Sequence, residues 1–112
     1  NIVEQGLAVR IELTEEAREF VRREASKLKN PAVYIWHLER AACYGMRCIS
    51  YTLVFLCEEE EARGYGVKIG EAEGLPVYLD PSDADLLPPT GRILIELNSL
   101  YSQDQLLATF LA

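Results

Sequence analysis

Two cysteines, Cys43 and Cys48, are the residues of this chain whose type and spacing best suit chemistry. They lie in the segment 41–48, between two stretches that the sequence predicts as β-strands, residues 32–38 and 49–57. Paired thiolates can bind a metal or form a disulfide. Free cysteines are also often buried as inert, small apolar side chains, and a gap of four residues is not a strong metal-binding spacing. The spacing therefore leaves a functional and a structural interpretation open.

Two further residues carry chemistry in principle. His37, the single histidine, falls on the first predicted strand with the parity of Val33 and Ile35, and it could act as a ligand or proton carrier. A lone histidine on a strand is more often structural, however. Cys57 has the parity of Leu53 and other large apolar residues, so we predict that it is part of the core.

The composition restricts the class of protein. With 112 residues, the chain fits one domain, residues 1–112. Its net charge of −7, with 11 basic and 18 acidic residues, disfavours nucleic acid and anionic membranes as partners, and no apolar run approaches the roughly 20 residues that span a bilayer. An odd number of cysteines predicts a reducing compartment, which we take to be the cytoplasm. A single histidine without G-x-S-x-G or H-E-x-x-H leaves no nucleophile–base pair, so we predict that the chain is not an enzyme.

The order of predicted elements defines a fold class. A strand over residues 9–13 precedes a helix capped by Thr14 and ended by Asn30 and Pro31. The two central strands follow, then an acidic block at 58–61 predicted as a solvated turn, and strands at 65–69 and 75–79. Asp80 caps a short helix, and a strand at 92–97 precedes an amphipathic C-terminal helix at about 100–111. This order predicts an α+β domain, with a small mixed or antiparallel β-sheet and an N-terminal helix.

The chain resembles the HesB-like family, the A-type iron–sulfur carrier proteins, from Ile11 to about Leu97. Five segments carry the resemblance in order: Leu13-Thr14-Glu15-Glu16-Ala17, Cys43-Tyr44-Gly45-Met46, Tyr51-Thr52-Leu53-Val54-Phe55, Gly66-Val67-Lys68-Ile69 and Val77-Tyr78-Leu79-Asp80. Family members usually add a C-terminal Cys-Gly-Cys or similar pair, whereas this chain has no cysteine after Cys57. Only Cys43 matches a family ligand. The resemblance implies a HesB-like domain that binds iron or an iron–sulfur cluster, and it implies iron–sulfur assembly or recipient proteins as partners.

Three functions remain open at this point. In the first, Cys43 and Cys48 bind iron or an iron–sulfur cluster, and a homodimer supplies four thiolates, a set that zinc would also accept. His37 could replace one of these ligands. In the second, a HesB-like domain without metal mediates protein interaction or oligomerisation, through Leu107 or Phe110 of the C-terminal helix. In the third, Cys43 and Cys48 form a redox pair, with Arg47 lowering a thiol pKa.

Overall fold

The computed structural model describes residues 9–44, 47–87, 91–100 and 102–111. The first half of the chain contains β1 (Arg10–Leu13), α1 (Glu15–Ala25), β2 (Pro31–Tyr44) and β3 (Arg47–Glu58). Then come α2 (Glu59–Tyr65), β4 (Val67–Ala72), β5 (Leu75–Leu79), a 3₁₀ helix (Pro81–Leu86), β6 (Arg92–Leu100) and β7 (Gln103–Leu111). The predicted class, a small α+β domain dominated by strands, is confirmed.

The seven strands of the described ranges form one mixed sheet in the order β1-β6-β7-β3-β2-β5-β4. The β1–β6 and β2–β5 pairs are parallel and the other four pairs are antiparallel. The two end strands, β1 and β4, contact each other, so the sheet curls until it nearly closes. At this seam the Cδ1 atom of Ile11 lies 3.2 Å from the position that a Cβ on Gly70 would occupy.

The main core lies inside this curled sheet, where α1 packs against it. Thr14 begins the helix, because its Oγ1 accepts a hydrogen bond from the backbone N–H of Ala17 at 3.2 Å. Ala17 and Val21 of α1 are buried, as are inward residues of the central strands such as Val33 and Ile35. None of the described helices is long and apolar enough to cross a bilayer.

The C-terminal segment differs from the prediction. The prediction of an amphipathic helix at about 100–111 is wrong, because residues 103–111 form β7. This strand pairs with β6 from Arg92↔Leu111 to Leu100↔Gln103. Leu106 and Ala108 alternate into the core, a period-2 pattern that the apolar pairs at 106–107 and 110–111 disguised as a helical stripe. Ser102 (φ 64°) takes the left-handed conformation ahead of β7. Phe110 packs against the core.

The acidic block is a helix rather than a solvated turn. Glu58 is the N-cap residue of α2, and its carboxylate accepts hydrogen bonds from the backbone N–H groups of Lys29 (3.1 Å) and Asn30 (2.8 Å). These bonds lower the pKa of Glu58. Three glutamates occupy the first turn of α2, where the positive end of the helix dipole stabilises them. The block is therefore the beginning of a helix that is anchored to the start of β2.

Candidate functional site

The backbone register brings Cys43 and Cys48 together. They are paired residues of β2 and β3, one pair before Tyr44↔Arg47, after an irregularity that shifts the register between Glu39 and Cys43. Directly opposed residues of an antiparallel pair share one face of the sheet. The hairpin is as predicted, but the loop expected over residues 41–48 is not, because both strands run further into this segment.

His37 does not join this pair. It is register-paired with Thr52, six residues before Cys43 along β2, a separation on the order of 15–20 Å in extended backbone. The Nδ1 atom of His37 lies 2.8 Å from the Oγ1 atom of Thr52, a buried residue. Its backbone N–H donates to Oδ2 of Asp83 at 2.7 Å. His37 is thus held by polar partners of its own and is not placed to share a metal ion with Cys43 of the same chain.

A carboxylate network that the sequence did not reveal lies at the end of β5. Asp80 caps the 3₁₀ helix as predicted, since its Oδ1 accepts from the backbone N–H of Ser82 at 3.0 Å. Its Oδ2 also accepts from the hydroxyl of Tyr34 at 2.8 Å. The hydrogen bonds from the Ser82 and Tyr34 side chains lower the pKa of Asp80. Burial, and then the bond to Asp80, raises the pKa of Tyr34.

The side chain of Asp83 accepts a backbone hydrogen bond from β2 beyond the point where the β2–β5 pairing ends. The parallel register runs from Val33↔Val77 to Ile35↔Leu79, and the N–H of Asp80 then donates to the carbonyl of Ile35 at 3.0 Å. The backbone N–H of His37, the next inward residue of β2, donates instead to the carboxylate of Asp83, a residue that is 6% exposed. This accounts for the burial of a charged residue beside the sheet, because the carboxylate satisfies a backbone donor.

Cys57, which we predicted to be part of the core, is half-buried and packs against the smaller of two core clusters rather than the main one. Thr52 and Val54 are the buried, inward residues of β3, so Cys57, with the opposite parity, lies on the outer face. There α2 covers it, and it packs against a second, small cluster that includes Ala62 and Tyr78. Burial, and then the negative charge of Glu61, raises the pKa of the Cys57 thiol, which favours the neutral form.

An aromatic cleft opens on the same outer face. Its volume is about 220 Å³, and it lies between β2, β3 and α2. We call it the outer cleft; its lining residues are Tyr34, Phe55, Cys57, Glu61, Ala62 and Tyr65. A second cavity, of about 280 Å³, lies between α1 and the strands β3 and β7, and Phe55 borders both. Sequence reasoning missed the outer cleft, because only the β2–β3 register brings Tyr34 opposite Phe55.

Among the side chains that the structure describes, there is no group of three or more histidine, cysteine or acidic residues that could hold a metal ion. Comparison with protein families, with characterised proteins and with solved structures found no match to this chain.

Proposed function

We propose that this chain carries iron or an iron–sulfur cluster, with Cys43 and Cys48 as thiolate ligands, on a divergent HesB-like domain. The observation that supports the proposal is the register pair Cys43↔Cys48. It makes two thiol-bearing residues direct cross-strand neighbours near the end of a hairpin. Cross-strand neighbours have Cβ atoms roughly 4.5–5.5 Å apart, a separation that two ligands of one metal centre can share.

Two thiolates are half of the usual ligand set. A [2Fe–2S] cluster takes four cysteine ligands, as does a structural zinc site. A symmetric dimer of the chain supplies four, with the cargo on the two-fold axis. A dimer assembled on its cargo also suits a carrier, because transfer of the cluster to a recipient protein removes the link between the two copies. The expected location is the cytoplasm, where thiols stay reduced.

The test is anaerobic reconstitution of the purified protein with ferrous iron and sulfide. We expect absorption between roughly 320 and 420 nm and about one iron per chain, together with a doubling of the mass in light scattering after size-exclusion chromatography. Cys43→Ser and Cys48→Ser are each expected to abolish both signals. Cys57→Ser is the matched control, because Cys57 lies on the outer face beneath α2.

Two results contradict the proposal. One is a wild-type protein that acquires no thiolate-to-iron absorption. The other is loss of absorption in Cys57→Ser equal to that in Cys43→Ser, which would indicate that iron sulfide binds non-specifically to the cysteines. Reconstitution with zinc alone, followed by metal analysis of the same variants, separates a cluster site from a tetrathiolate zinc site.

A second candidate function is a metal-free interaction or oligomerisation module. The observation that favours it is the outer face of β2 and β3, where Trp36 is 36% exposed and Phe55 is 39% exposed. The interaction surface proposed here is this face rather than the predicted C-terminal helix, because residues 103–111 form β7 and Phe110 packs on the core. For this function we expect a dimer without metal that Trp36→Ser dissociates, measured by light scattering. A monomeric metal-free protein would contradict it.

A further inference from the structure

The outer cleft combines aromatic rings with one negative charge. Three of its six lining side chains are aromatic, and they come from β2 (Tyr34), β3 (Phe55) and the last residue of α2 (Tyr65). Glu61, one turn earlier on α2, is the single charged residue of the lining. We propose that this cleft binds an organic ammonium cation. The inference rests on the cleft alone and does not depend on the proposed metal cargo.

The wall formed by Tyr34 is fixed in place before any ligand arrives. Its hydroxyl donates to Oδ2 of Asp80 at 2.8 Å, and it also lies 3.4 Å from the carbonyl oxygen of Tyr65. Gly66 approaches the ring so closely that a Cβ on it would lie 2.7 Å from Cε2 of Tyr34. A ring held at both its hydroxyl and its edge loses little freedom when a ligand binds, which reduces the entropic cost of association.

The charge around the outer cleft is negative. Burial, and after it the charges of Glu61 and Glu58, raises the pKa of Cys57. Burial, and after it Asp80 and Asp83, raises the pKa of Tyr34. The chain as a whole carries a net charge of −7. A cation is attracted to this potential, whereas an anion is repelled by it.

Three aromatic residues and one glutamate in the same lining favour one class of ligand. The face of an aromatic ring attracts a cation through its quadrupole, and this is how proteins recognise quaternary ammonium groups. A hydrated metal ion would gain little from rings, and a neutral apolar molecule would gain nothing from Glu61. The volume of about 220 Å³ far exceeds the roughly 10–15 Å³ that one water molecule needs, so it accommodates an alkylammonium group.

The test compares a cation with its uncharged analogue. Choline and 3,3-dimethyl-1-butanol have nearly the same shape, but only choline is charged. Each is titrated into the ¹⁵N-labelled protein, and binding is followed by the amide shifts of residues 34, 55, 61 and 65. We expect choline to bind about 3- to 30-fold more tightly than the alcohol. Equal affinities, or no shifts with choline at these residues, would overturn the inference.

Variants locate the binding to the outer cleft. Glu61→Gln is expected to weaken the binding of choline and to leave the binding of the alcohol unchanged. Tyr65→Leu is expected to weaken choline binding because it removes the aromatic ring of a residue that is 75% exposed. Glu60→Gln is the matched control, because it makes the same charge change on an exposed residue of α2 outside the cleft. A Glu61→Gln variant that behaves like Glu60→Gln would overturn the inference.

The same titration distinguishes two sources of the ammonium group. A capped trimethyllysine amide presents the cation as part of a protein chain, whereas choline presents it as a free metabolite-sized molecule. Tighter binding of the capped amide assigns the cleft to a lysine side chain of a partner protein. Tighter binding of choline assigns it to a small molecule. If neither probe binds more tightly than the neutral alcohol, the cleft is not a cation site.

Discussion

Two glycines in one short segment, Gly64 and Gly66, are expected to respond to the same substitution with opposite signs. Gly66 has extended backbone (φ −127°, ψ 178°), which alanine adopts freely. The obstacle to alanine is steric. A Cβ on Gly66 would lie 2.7 Å from Cε2 of Tyr34, 3.0 Å from the carbonyl oxygen of Leu79 and 3.2 Å from Cβ of Tyr78. A Cβ on Gly64 would meet no atom within 4 Å.

The magnitudes follow from what can move. The Tyr34 ring is held by its hydroxyl, and the Leu79 oxygen belongs to the backbone of β5, so neither yields easily. Overpacking of this kind costs about 1–3 kcal/mol. For a domain of this size, the free energy corresponds to a fall in Tm of roughly 4–12 °C for Gly66→Ala. In Gly64→Ala, alanine replaces glycine inside α2, which should raise stability by about 0.5–1 kcal/mol and Tm by roughly 2–4 °C.

The assay is urea unfolding followed by circular dichroism, together with thermal unfolding, for the two single variants and the double variant. We expect the urea midpoint of Gly66→Ala to fall and that of Gly64→Ala to rise, with unchanged slopes. A Gly64→Ala variant that destabilises as much as Gly66→Ala would refute the open space around Gly64. A Gly66→Ala variant as stable as the wild type would refute the close approach at Gly66 itself.

Two further outcomes can be measured on single variants. Asp83→Ala leaves the backbone N–H of His37 without its acceptor, so we expect the free energy of unfolding to fall by about 1–3 kcal/mol. The control is Asp85→Ala at an exposed residue of the same 3₁₀ helix, which should cost about 0.5 kcal/mol or less. Equal losses would contradict the role of Asp83. Glu61→Gln removes a negative charge that raises the pKa of Cys57. The pH midpoint of Cys57 alkylation should therefore move to lower pH, and the alkylation rate at pH 8 should rise, as measured by mass spectrometry of the labelled peptide. An unchanged pH profile would contradict the coupling between Glu61 and Cys57.

The elements that could be predicted from the sequence are those whose signals are local. Thr14 begins α1 and Asp80 caps the 3₁₀ helix, because capping needs only a side-chain oxygen near the next few N–H groups. The alternation of side chains along residues 32–38 likewise predicts a strand there, although both of its faces are apolar and the pattern does not mark which one is inward.

The elements that could not be predicted depend on distant partners. The segment containing Leu106 and Leu107 has apolar residues that satisfy both helical and strand periods, and the nine-residue pairing with β6 decides between them. The inward or outward direction of Cys57 depends on which parity of β3 meets α1. The burial of Asp83 depends on the point at which β5 stops pairing with β2. The register Cys43↔Cys48 needed the length of both strands, which the glycine-containing segment between them obscured.

The strands β5 and β7, which flank the β2–β3 hairpin, pair with only part of its length, and this affects the stability of the rest of the hairpin. The described pairing of β2 with β5 ends at Ile35, and that of β3 with β7 ends at Leu53, whereas β2 and β3 stay paired as far as Tyr44↔Arg47. In the described pairings, the distal part of the hairpin is therefore a two-stranded ribbon that joins the rest of the sheet at one end only. A two-stranded ribbon of this kind is only marginally stable by itself. Opening it requires local rather than global unfolding free energy. If Cys43 and Cys48 bind the proposed cargo, amide exchange in this part of the hairpin should slow while exchange in the rest of the sheet stays unchanged.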